Sequence, residues 1–158
     1  MSPSELANEQ LGLLRRTFFA DAGDSEFYQE RNLLLSAIAF PAAHLKERYG
    51  VSTPDSLSRT ILGTVIETIK AHGNRAKIER FSVYFLHCVQ KHLQHHGEEY
   101  YEQAKAARRV AESLPALLSR VRIGEIERST DVLVALHNTL KSKGGRKKKR
   151  AEAQPTLL

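Results

Sequence analysis

Apolar residues in this chain recur every three or four positions and never in strict alternation. Leu57, Ile61, Leu62, Val65, Ile66 and Ile69 are the clearest case. That spacing lays hydrocarbon along one side of an α-helix. Alternating apolar runs are absent, and so are Asn-Gly and Asp-Gly hairpin signals. Nor does any internal repeat occur at a fixed period. Helices with one apolar stripe each can bury it only against other helices. The expected fold class is therefore all-α: a single-domain helical bundle of about six helices over 1–140, followed by a disordered basic tail over 141–158.

Capping residues, glycines and prolines set the expected boundaries. Ser2, Pro3 and Glu5 form a capping box with proline at the first helical position, so a helix is expected from about Pro3 to Phe19. Asp24 is expected to cap a second helix ending at Tyr49-Gly50, with Pro41 kinking or breaking it near Phe40. Leu33, Leu34 and Leu35 put apolar groups on more than one side of that helix. It should be central in the bundle or half covered by a partner. Thr53-Pro54-Asp55 opens a third helix that stops at His72-Gly73. Asn74 is expected to cap a fourth, ending at His96-Gly97, and a fifth should span 98–113. Pro115 begins a short segment ending at Gly124, and Thr130-Asp131 opens the last helix, through Leu140.

The chain is long enough, at 158 residues, to fold around a core without cross-links. Its single cysteine, Cys88, excludes an internal disulfide. No basic and apolar leader is visible at the start, and the longest apolar stretch, 33–43, is too short to span a bilayer. These features predict a cytoplasmic protein, or a nuclear one in a eukaryotic host, with no membrane contact. The net charge of +6 is unevenly placed. Positions 1–140 hold 17 bases and 17 acids, so the whole excess lies beyond them. Lys141, Lys143, Arg146, Lys147, Lys148, Lys149 and Arg150 face a single acid, Glu152. A neutral body with a cationic end suggests an appended electrostatic contact.

The fourth helix is the most informative. At about 100° per residue, Ile78, Phe81, Phe85, Cys88, Val89, His92 and Leu93 share a broad face. Lys77, Arg80, Tyr84, His87, Lys91 and His95 fall on a narrow stripe beside it. With the apolar face buried, the stripe meets solvent or a partner. Cations so spaced can neutralise backbone phosphates, and Tyr84 or the histidines can stack on bases. A plain solvated helix face carries the same residue types.

Cys88, His92 and His96 follow one another at four-residue intervals, a spacing that lets imidazoles share a metal, with Glu99 or Glu102 able to add a carboxylate. No second cluster completes such a set. These three are the weak metal candidates, and no cofactor is expected. Neither His44, His72 nor His137 has a nucleophile at a recognisable local spacing. There is no phosphate-binding glycine loop or dinucleotide fingerprint. An enzyme is not expected; the enzyme alternative is histidine- or metal-dependent chemistry at His92 and His96.

The cationic run can contact nucleic acid, direct nuclear import or simply solubilise the chain. The leading expectation is a helical nucleic-acid-associated accessory protein, a small subunit of a nucleoprotein complex. It would hold DNA or RNA backbones non-specifically through the fourth-helix stripe and the tail. The alternative is a helical protein-interaction or scaffold subunit, including a homo-oligomer, without nucleic-acid contact.

Overall fold

The computed structural model describes residues 5–72 and 80–152, with side chains as far as Leu140. Five helices account for almost all of these residues, and no strand occurs among them. They are α1 (Glu5–Phe18), α2 (Asp24–Tyr49), α3 (Asp55–His72), α4 (Phe81–Glu112) and α5 (Ala116–Glu152).

Helix α2 is the centre. Leu34, Ala37, Ile38, Ala39, Ala42 and Leu45 are fully buried and point in several directions around its axis. Helices α4 and α5 pack along it, and α1 and α3 complete the enclosure. The leucine run is thus explained by a central position within the chain's own fold. Four phenylalanines knit the helix ends together. Phe81 of α4 lies 4.4 Å from Phe18 and 5.7 Å, edge-on, from Phe19, while Phe19 meets Phe27 of α2 at 5.3 Å. Burying each such ring contributes roughly 1.5–3 kcal/mol, which fixes the start of α4 against α1 and α2.

Several boundaries differ from the expected ones, each for a local reason. The anticipated fourth and fifth helices are continuous, and so are the short segment from Pro115 and the last helix, which leaves five helices among the described residues. Gly97 does not end a helix. It is buried inside α4, and an added Cβ would sit 3.3 Å from the Tyr49 hydroxyl. Its missing side chain permits close approach of α2 and α4. Gly124 and Thr130 both lie within α5. The Thr130 hydroxyl is 2.9 Å from the Ile126 carbonyl and accepts the Thr53 backbone N–H at 2.8 Å. It tethers the α2–α3 connection instead of capping a new helix.

Pro41 does not break α2, which continues through it with the ring buried. One lost backbone bond is offset by burial along the most enclosed helix of the fold. Gly23, not Asp24, occupies the N-cap of α2, and the Asp24 carboxylate pairs with Arg15 of α1 instead. Gly50 does behave as its position suggests: with φ at 71° it closes α2, its N–H donating to the Lys46 carbonyl at 2.9 Å.

The backbone of α5 is helical to Glu152, past the boundary expected at 141. The proposed Ser2 cap and the Asn74 cap lie outside the described residues. No described helix is long and apolar enough to cross a membrane.

Candidate functional site

Helix α4 begins later than its spacing suggests. Arg80 is its N-cap, with extended backbone at φ −129° and ψ 103°, and Phe81 is the first helical residue. Arg80 therefore does not share the helical period of the stripe, although it is exposed at the helix start. Lys77 lies outside the described residues. What sets this start is Glu30 of α2. Its carboxylate, 7% exposed, accepts the Ser82 backbone N–H at 2.6 Å. A negative group at a helix N-terminus satisfies an orphan amide and complements the dipole. Arg80 itself makes no side-chain cap.

Along α4, Phe81, Phe85, Val89 and Leu93 are buried, as their spacing predicts. His87, Lys91 and His95 are exposed on the opposite side. At about 1.5 Å per residue they make a row roughly 12 Å long. Tyr84 is the exception. It is half-buried against Phe81, and its hydroxyl meets the Cys88 thiol. The ring is thus committed to the body. Continuing the same period, Glu98 and Glu102 follow His95, so the sign of the row changes beyond that point. Lys141, Lys143, Arg146, Lys147, Lys148, Lys149 and Arg150 fall on the last turns of α5; their side chains are outside the described residues.

The histidines of the metal candidate set are adjacent but separately engaged. The His92 and His96 rings are 4.7 Å apart. His92 Nε2 is 2.7 Å from the Tyr100 hydroxyl, and His96 Nδ1 is 3.0 Å from Glu99. Burial, then the neighbouring His96, holds the His92 pKa below its ordinary value. Burial also raises the Cys88 thiol, which keeps it protonated and a poor nucleophile. Among the described residues no three His, Cys, Asp or Glu side chains are grouped to hold a metal ion.

The fold brings together one pair that local spacing could not reveal: Ser36 Oγ and His137 Nδ1 are 3.4 Å apart. Ser36 is 7% exposed in the middle of α2. The pair is a part-buried tie between α2 and α5.

A second concentration of cations forms where the end of α2 meets α4 and α5. Lys46, Lys105, Arg108 and Arg109 line a cleft there. Its residues are scattered along the chain, and the only local signal was the run of bases closing α2 and α4. Compared with models of protein families, with curated proteins and with solved structures, the chain matches none.

Proposed function

We propose that this protein is a helical nucleic-acid-associated accessory subunit that holds phosphate backbones without sequence readout. The observation that carries the reading is the exposed row His87, Lys91 and His95 on α4, with Arg80 exposed at the helix start, in a chain whose charge excess lies entirely beyond position 140. The body is neutral overall. Affinity would therefore come from a few phosphate contacts on α4 together with the seven bases of 141–150, and would be strongly salt-dependent. Base stacking by Tyr84 is not part of the proposal, because its ring is packed on the body.

A mobility-shift assay across a salt series tests this. The expected outcome is binding that weakens steeply with salt and whose slope shrinks when Arg80 and Lys91 are replaced by alanine. Removal of 141–158 should weaken it further. Binding weaker than micromolar that neither change affects would rule the reading out.

A second reading is favoured by a different surface. Val110, Leu117, Leu118 and Val121 are 65%, 67%, 56% and 50% exposed near the α4–α5 corner. Clustered exposed hydrocarbon of this kind marks contact surfaces. The reading is a protein-interaction subunit, and its homodimeric form predicts a concentration-dependent mass in light scattering. A strict monomer at high concentration would remove that form.

A further inference from the structure

The structure assigns a second anion site, separate from the α4 row: the cleft between the end of α2, the C-terminal half of α4 and α5, which we propose binds the oligophosphate group of a small molecule. The cleft is half open to solvent and has a volume of about 390 Å³, within the roughly 300–1,000 Å³ of small-ligand pockets.

Four bases and two acids line it. Both acids are spent on one base: Arg108 donates to Glu127 at 2.9 Å and to Glu112 at 3.2 Å. That triad braces α4 against α5 and leaves one negative charge in excess. Lys46 and Arg109 make no ion pair among the described residues, and both are exposed. Lys105 is loosely associated with Glu102 at 3.8 Å, and its ammonium is located over the Tyr101 ring at 4.9 Å. Tyr101 is in turn stacked on Tyr49, with ring centroids 4.8 Å apart, so Lys105 is presented from a packed base.

The backbone adds donors. Gly50 turns the chain out of α2 with positive φ, and Val51 and Ser52 follow it along the cleft wall. Their N–H groups donate to no other group among the described residues. Consecutive amides of this kind, together with cations, suit phosphate oxygens. The carbonyl end of α2 opposes an anion by roughly half a charge. The lining's four bases against two acids leave about two positive charges, with Lys46 and Arg109 the two bases that have no carboxylate partner among the described residues, and these outweigh it. The concave shape, the convergence of Lys46, Lys105 and Arg109, and the two amides favour several phosphates in a row over a lone carboxylate. None of these groups belongs to the α4 row or to 141–150, so the site stands independently of the nucleic-acid reading.

The test is a calorimetric and NMR titration of the full chain with inorganic pyrophosphate and, separately, with a nucleoside triphosphate. Expected are saturable binding, shifts of the Val51 and Ser52 amide signals, and an affinity loss of at least about tenfold in the Lys46→Ala/Arg109→Ala double variant. The Arg80→Ala/Lys91→Ala variant should bind like wild type. Tighter binding of the triphosphate would show that its third phosphate or its nucleoside contributes, and equal binding that two phosphates suffice. Either result supports the site. Absence of saturable binding of both probes, unmoved Val51 and Ser52 signals, or equal losses in the two double variants would overturn it.

Discussion

Replacing Glu30 by alanine should unsettle α4 more than any other single change to a charged residue. Its carboxylate is almost fully enclosed and accepts the N–H of Ser82, itself fully buried, at 2.6 Å. A hydrogen bond to a charged group contributes about 1.5–3 kcal/mol, and an amide left unpaired in the interior has no water to turn to. The favourable interaction with the α4 N-terminus adds roughly 0.3–1 kcal/mol. Because these contributions overlap, the expected loss is about 2–3 kcal/mol. For a chain of this size that lowers the melting temperature by roughly 4–12 °C. Urea unfolding should show a lower midpoint with an unchanged slope. Glu30→Gln keeps an acceptor oxygen and loses the charge, so it should cost about half as much. If Glu30→Ala unfolds within a few tenths of a kcal/mol of wild type, Glu30 does not anchor α4.

Three further outcomes follow from the packing. Thr130→Val removes the acceptor for the Thr53 N–H, which it meets at 2.8 Å, and should destabilise by about 1–3 kcal/mol in urea unfolding. Gly97→Leu forces a side chain where even a Cβ would stand 3.3 Å from the Tyr49 hydroxyl, with an expected cost of about 1–3 kcal/mol. Burial holds both His44 and His92 below their ordinary pKa of 6.5. The unfolded chain then binds protons that the folded chain resists. Stability from this source is complete above about pH 6.5 and is lost as the pH falls below it. Urea midpoints at a series of pH values should decline in that range, and the decline should be shallower in His92→Asn.

Much of this architecture was legible in the residues because helix periodicity and burial agree. Phe81, Phe85, Val89 and Leu93 are buried on the face their spacing predicts, and Gly50 takes the left-handed conformation at the end of α2. The misread positions are those where tertiary packing overrides a local stop signal. Gly97 looks like a helix end but answers to Tyr49, far away in sequence. Thr130 looks like a cap but tethers Thr53, and Pro41 looks like a break but is buried in the most enclosed helix. The exposed row on α4 was visible as a spacing. That Tyr84 turns from it toward Cys88 was not, since half-burial of one ring depends on which neighbours crowd it. The bases of the cleft, Lys46, Lys105 and Arg109, were visible at their helix ends, but their meeting was not. Three elements distant in sequence build the cleft.

The most direct measurement is a residue-resolved NMR titration of the full chain with a short oligonucleotide of arbitrary sequence. If the outward side of α4 holds phosphates, amide and side-chain signals from Arg80, His87, Lys91 and His95 will move together with those of 141–150, and will return as salt is added. Signals that stay fixed on α4 while others move, or an oligonucleotide that perturbs nothing, would contradict the assignment.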